Sequence, residues 1–293
     1  MTDHPSPLRY PGGKTSVAPF LAKTIRLNGL EDGIYAEPFA GGSGAALKLL
    51  FWEIVSEIHL NDKDLSIFSF WKSILEEPDE FLRLLRACKV NVRTWSQQKS
   101  ILREASKCSM LERGFATFFL NRCNHSGVLN GGPIGGLAQK GDYKIDARFN
   151  KTALARRIET IQLYRERIKI SRLDAIDFLK RQFTDEKVGR QKCLVYLDPP
   201  YLAKAQRLYP LYFEHQDHVR LADYLNRSAH FPWIISYDDA TPIRKLYAVR
   251  RLSVLKKYSL HSARVGRELL ISSATCILPR HSSGHDYFGH QAT

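Results

Sequence analysis

The stretch from residue 34 to residue 62 constrains the fold more than any other part of the chain. Ile34-Tyr35-Ala36 reads as a short buried strand, followed by the loop Glu37-Pro-Phe-Ala-Gly-Gly-Ser-Gly44. Residues 45–53 carry Ala, Leu and Phe without a breaker and predict a helix; residues 57–60 predict a second strand, ending at Asn61-Asp62. Strand, glycine loop, helix and strand in that order imply two parallel strands, because the helix carries the chain back along the sheet. The unit predicts an α/β fold with a parallel, doubly wound sheet. Further strands are expected at 169–173, 193–197, 233–236 and 269–273, and a helix at 175–182. Residues 71–164 look different. Helical stretches such as 81–90 and 111–120 flank a polar, glycine-rich segment at 121–136, and no strand is evident there. The expected organisation is a sheet domain built from 1–70 and 165–293, with an inserted, mainly helical module at 71–164.

The length of 293 residues suits one such domain with an insertion, and 44% hydrophobic with 25% charged residues excludes collagenous, disordered and coiled-coil classes. No run of about 18 apolar residues occurs, so no membrane-spanning helix is expected. The start, MTDHPSPLRY, lacks an apolar core after a basic stretch and does not read as a secretory signal. The five cysteines are scattered without a CxxC pair, which argues against a disulfide framework and a cysteine zinc site. A reducing cytoplasm is the expected location. His215 and His218 read as packing or surface residues, since no nearby acid or thiol completes a metal site, and no metal is expected. Trp71, Phe118 and Phe119 read as core. The balance of 44 basic and 30 acidic residues leaves +14, concentrated at 151–172 and 241–281. Such stretches are either a solvated surface or a face for a polyanion such as nucleic acid. Lys256, Arg264 and Arg267 fall under the same alternative.

Three motifs carry chemistry. In the loop after the first strand, glycines let a ligand approach the backbone at a helix N-terminus, and Glu37 can accept from an amine or hydroxyl. Asp62 ends the next strand, where a carboxylate commonly holds the ribose hydroxyls of a nucleoside cofactor. The second motif, Asp198-Pro-Pro-Tyr201, directly follows the apolar strand at 193–197. Its prolines, Pro199 and Pro200, stiffen the turn and remove two amide donors. Asp198 and the Pro199 carbonyl then stand as paired acceptors, with the Tyr201 ring beside them. That arrangement suits the NH2 of a planar base, which stacks on the ring while its two hydrogens are held. The third motif, Arg9-Tyr10-Pro-Gly-Gly-Lys14, resembles half of a phosphate-binding P-loop. Leu8 stands where that loop needs glycine and no strand precedes it, so ATP binding is rejected. A tight turn presenting Tyr10 and Lys14 to a ligand fits better.

Together these residues resemble the Dam-type, D12 class DNA adenine-N6 methyltransferases. PLRYPGGK, EPFAGGSG, NDKD, FFLNR, LDPPY, ISYDD and RELLISS look like family motifs and occur in the family's order from Pro7 almost to Ser273. The resemblance implies a Rossmann-like sheet, S-adenosylmethionine as methyl donor, duplex DNA as substrate, and a target-recognition domain in the inserted module. It implies a monomer, and restriction modification with a cognate nuclease as one setting. Matched residue by residue, cofactor contacts fall on Tyr10, Lys14, Glu37, Phe39, Gly41, Asp62 and Asp198. Asp177-Phe178 looks like the adenine-contacting segment. Asn121, Arg122 and the following loop resemble the DNA-reading hairpin, with His125 and Ser126 as further contacts. Asn130 stands where members that read GATC carry arginine, so a site other than GATC is expected.

The tetrapeptide serves any planar NH2, which leaves a cytosine-N4 or RNA methyltransferase as an alternative. A non-catalytic DNA-binding relative is the other. Intact Lys14, Asp62 and Asp198 to Tyr201 argue against it, and a protein-glutamine methyltransferase would carry Asn at position 198.

Overall fold

The computed structural model describes residues 4–9, 13–104, 108–184, 192–201, 213–258 and 265–279, with the backbone alone for 251–258 and 265–267. Its elements run α1 (Ala18–Leu27), β1 (Ile34–Glu37), α2 (Gly44–Phe51), β2 (Glu57–Asn61), α3 (Leu65–Glu76), α4 (Pro78–Ala87), α5 (Val92–Arg103) and α6 (Met110–Cys123). They continue with α7 (Lys151–Gln162), β3 (Ile168–Ser171), α8 (Ala175–Gln182), β4 (Cys193–Leu197), α9 (His215–Arg227), β5 (Trp233–Asp238), α10 (Thr241–Leu246), β6 (Arg251–Tyr258) and β7 (Val265–Ser272).

The strands form one sheet in the order β3-β2-β1-β4-β5-β7-β6. The first five are parallel, and β7 and β6 join antiparallel. Because β1, β4 and their neighbours are covered on both faces, alternate residues enter different cores. Tyr35 and Leu194 pack with α1, α2 and α3, whereas Ala36 and Val195 pack with α8, α9 and α10. The strand order reverses between β1 and β4. At such a switch point the two flanking loops leave in opposite directions and open a crevice beyond the carboxyl ends of the strands.

The predicted α/β class and the β1-loop-α2-β2 unit are present, with shifts at element ends. Helix α2 stops at Phe51, short of the expected residue 53, because Glu53 takes a left-handed backbone with φ of 54°. Strand β6 is a correction: its run Arg251-Leu-Ser-Val-Leu-Lys-Lys-Tyr258 was read only as a basic stretch. Pairing with β7 along its whole length sets its conformation.

Between β2 and β3 the described residues form helices α3 to α7 and an isolated antiparallel bridge from Asn124 to Pro133. The expected boundary at residue 71 falls inside α3, whose Trp71 donates from Nε1 to the Gly41 carbonyl at 2.9 Å. Helix α6 begins with a capping box, Ser109 and Glu112 satisfying each other's backbone amides. Phe70, Phe81, Phe115 and Phe118 interlock in edge-on and stacked pairs between α3, α4 and α6, in the cluster that also covers one face of the sheet. Trp71, Phe118 and Phe119 are fully buried, as core residues should be. Phe118→Ala is expected to destabilise the protein by about 3–5 kcal/mol through lost burial and the cavity left behind. Urea denaturation measures this, and a loss under about 1 kcal/mol would contradict the packing.

Candidate active site

Glu37, Asp62, Asp174 and Asp198 follow or end β1, β2, β3 and β4, so parallel pairing gathers four carboxyl groups at one sheet edge. They line a cavity of about 660 Å³, a size that suits a small-molecule ligand. Asn61, buried at the end of β2, holds the edge together. Its amide donates to the carbonyls of Pro38 and Leu173, both at 3.0 Å, and its Oδ1 accepts from the Leu173 amide at 2.9 Å.

The glycine loop is shaped by close approach. A Cβ on Gly44 would lie 2.1 Å from Thr15 Oγ1, so only glycine lets α2 begin against the N-terminal turn. Asp62 orients the loop through Oδ2, which accepts from the Gly41 amide at 2.9 Å; its Oδ1 accepts from the Asp64 amide at 2.9 Å. A carboxylate has about four acceptor positions, so each oxygen keeps one for a ligand hydroxyl. Phe39 is half-buried on the cavity wall, its ring edge-on to Phe213 at 5.6 Å.

Lys14 is the hub of the opposite wall. Its buried ammonium lies 3.1 Å from Asp198 Oδ1 and 2.5 Å from Glu268 Oε1, and donates to the Tyr201 hydroxyl at 2.6 Å. Burial would depress its pKa, but Asp198 and Glu268 outweigh that and hold it above the ordinary value. Asp198 Oδ1 also accepts from Ser236 Oγ at 2.8 Å. Burial and the nearby Glu268 push the Asp198 carboxyl up, against the pull of Lys14 and Ser236. The Tyr201 hydroxyl donates to Glu268, and Lys14 Nζ sits 5.1 Å from the centre of the Tyr201 ring. Pro199 is buried, and Pro200 lines the cavity.

Several expected contacts sit elsewhere. Asp177 is exposed on the first turn of α8, and Phe178 is buried in the core beneath it. Neither lines the cavity; Leu173, Asp174 and Ala175 do. Asp174 ends the loop after β3 and caps α8 by accepting from the Ile176 amide. Asn121 is buried, accepts from the Arg9 amide at 2.6 Å and donates to the carbonyls of Arg9 and Gly127. These bonds tether the N-terminal segment and the Gly127 turn to α6. Arg122 is buried on the cavity wall, and Ser126 lines the cavity from an exposed left-handed position with φ of 54°. His125 and Asn130 are exposed on the same loop. Tyr10 lies outside the described residues, as does Arg264; nothing is described of the Lys256 and Arg267 side chains.

The basic stretches are partly occupied internally. Arg167 pairs with Glu53, Arg244 with Asp239, and Lys151 donates to the carbonyls of Arg86 and Cys88. His218 is buried with Nδ1 2.9 Å from the Tyr237 hydroxyl, and His215 is exposed. Among the described residues no three His, Cys, Asp or Glu side chains gather as metal ligands, and no helix is long and apolar enough to cross a membrane. Glu268 and Ser236 went unassigned in the sequence. The segment RELLISS was visible as a motif, but only the antiparallel register of β7 on β5 carries Glu268 to Lys14.

A mainly parallel sheet with its ligand cavity at the switch point has the Rossmann-like architecture of S-adenosylmethionine-dependent methyltransferases. Residues 10–260 match the family model described as D12 class N6 adenine-specific DNA methyltransferase, and the chain belongs to that family of S-adenosylmethionine-dependent enzymes. No curated protein matches it. Among solved structures, two of the rRNA methyltransferase AviRa from Streptomyces viridochromogenes are similar at 13% and 14% identity, each with a TM-score of 0.34. The matches cover 87% and 88% of this chain and 85% of AviRa.

Burial pushes the Glu37 carboxyl up to about 8, against a hydrogen bond from Tyr35, and Asp62 up to about 7. Both folded-state values exceed those of the unfolded chain, so the folded protein binds more protons in between. Their contribution to stability is complete below about pH 4 and is lost as pH rises through about 7 and 8. Urea denaturation from about pH 5 to 8 is expected to show a decline that Glu37→Gln and Asp62→Asn each make shallower. Identical profiles in all three proteins would contradict these assignments.

Proposed function

We propose that this chain is a site-specific methyltransferase acting on N6 of adenine in double-stranded DNA, with S-adenosylmethionine held along the carboxylate edge of the cavity. The observation that carries this reading is the shared lining of one cavity by Glu37, Asp62 and Asp174 together with Asp198 and Pro200. The donor set fits the cofactor. The open acceptor positions on Asp62 suit ribose hydroxyls, Asp174 suits an adenine amine, and the Gly41 to Gly44 backbone permits close approach. When bound, S-adenosylmethionine supplies a methyl group on a sulfonium, a leaving group that needs no further activation.

The chain's residues then align the acceptor. A base cannot be reached inside a duplex and must be extruded. The Tyr201 hydroxyl is tied to Glu268 and Lys14 and its ring packs against the core beside the cavity, so stacking of the base on it requires the ring to be uncovered when DNA binds. Asp198 and the Pro199 carbonyl take the two N6 hydrogens and stabilise positive charge growing on that nitrogen. Lys14 and Ser236 hold Asp198 in place. The helical stretch at 71–164 serves target recognition through the exposed loop carrying His125, Ser126 and Asn130, and Asn130 in place of arginine directs the enzyme to a site other than GATC.

Asp198→Ala is expected to cut methyl transfer from labelled cofactor to duplex DNA by about a hundredfold or more. Near-normal turnover would overturn the mechanism. Sequencing of DNA from cells expressing the wild-type chain identifies the modified base and its context. N4-methylcytosine, or no modified DNA, would overturn the proposed substrate.

A further inference from the structure

Trp71 takes no part in methyl transfer and does not line the cavity, yet its one polar atom reaches the glycine loop after β1. It lies on α3, fully buried, with its ring edge-on to Phe70 at 5.3 Å. Apolar packing accounts for the ring but not for the nitrogen, since a buried indole N–H needs a partner that Phe would not. Indole Nε1 is a donor only, and here it donates to the Gly41 carbonyl at 2.9 Å.

That carbonyl belongs to the central peptide of a turn. The Ser43 amide donates to the Ala40 carbonyl at 2.7 Å and closes the turn over Gly41 and Gly42. A turn's own hydrogen bond leaves its central peptide free, and reversing that peptide converts one turn type into another. Gly41 has a φ of 46°, in the left-handed region, and a second glycine follows it, so side chains oppose neither orientation. The two bonds to Gly41 therefore do different things. Asp62 takes its amide and places the start of the turn, whereas Trp71 takes its carbonyl and selects the orientation of the next peptide. In a planar trans peptide the carbonyl and the amide hydrogen point in opposite directions. With the Gly41 carbonyl turned to Trp71 in the core, the Gly42 N–H is turned the other way. Gly42 lines the cavity, and its amide has no hydrogen-bond partner among the described residues.

We infer, on the reading of the cavity as the cofactor site, that Trp71 is a positioning residue for the cofactor: it holds the Gly42 amide toward the cavity as a donor for an acceptor atom of S-adenosylmethionine. The reversed peptide would present a carbonyl to the ligand in a cavity already lined by Glu37, Asp62 and Asp198, and would strand the indole N–H. An unpaired buried donor is costly, so the indole sets the loop before the ligand arrives and lowers the ordering cost of binding. A helix from the stretch between β2 and β3 thus helps to build the cofactor site.

The test uses the full-length protein. Trp71→Phe removes the donor and keeps a ring in the core, while Phe118→Leu loosens the same cluster without touching Gly41 and serves as the structural control. With both variants shown to be folded by urea denaturation, calorimetry with S-adenosylmethionine should give about fivefold or more weaker binding for Trp71→Phe and a change within about twofold for Phe118→Leu. In the wild type labelled with 15N-glycine, the Gly42 amide resonance should move downfield as cofactor binds, a readout that holds even if Trp71→Phe fails to fold. Unchanged affinity in a folded Trp71→Phe, equal losses in the two variants, or a Gly42 resonance that the cofactor leaves in place would each overturn the inference. A wild type that binds no S-adenosylmethionine overturns the underlying reading and the inference with it, and that result is seen before any variant is made.

Discussion

The arrangement depends on one buried ammonium. Parallel pairing of β1 to β4 brings four carboxyl groups to a single sheet edge, and β7 adds Glu268 behind them. Burial pushes the carboxyls of Glu37, Asp62 and Asp198 up. Lys14, held between Asp198 and Glu268, opposes this at Asp198, and it does so from a turn 184 residues before Asp198 in the chain. The interaction therefore closes the fold as well as the site. It ties the N-terminal turn, the Asp-Pro-Pro-Tyr turn and the antiparallel hairpin into one wall, while Gly44 seats α2 against Thr15 of the same turn.

Charge also divides the cavity. Glu37, Asp62, Asp174 and Asp198 line it from the strand termini, and Arg9, Arg122, Arg148 and Arg157 from the N-terminal segment and the stretch between β2 and β3. The division follows from topology: strand ends come from the sheet, whereas the basic wall is contributed by the segment between β2 and β3.

What was legible in the sequence was whatever local pattern determines. Glu37, Asp62 and Asp198 each stand at the end of a strand, beside a glycine loop or a Pro-Pro turn in the case of Glu37 and Asp198, and the β1-loop-α2-β2 unit implied the parallel sheet. Asp174 and Asp177 show the limit of such reading. Both lie near the start of α8, and only the helix phase and the Asp174 cap decide which faces the cavity. Asn121 falls in the DNA-reading hairpin by the family resemblance alone; its contact with Arg9, 112 residues away, is invisible locally. Glu268 and β6 were missed for the same reason. Their environment is set by antiparallel pairing, and the adjacent Lys256 and Lys257 obscured the strand pattern of β6.

A crystal structure of the protein with S-adenosylmethionine tests whether the switch-point crevice holds cofactor and target base side by side. The ribose hydroxyls should lie on Asp62, the adenine amine near Asp174, and the transferable methyl should face Asp198 and Pro200. A cofactor bound away from Asp62, or with its methyl turned from Asp198, would contradict the account.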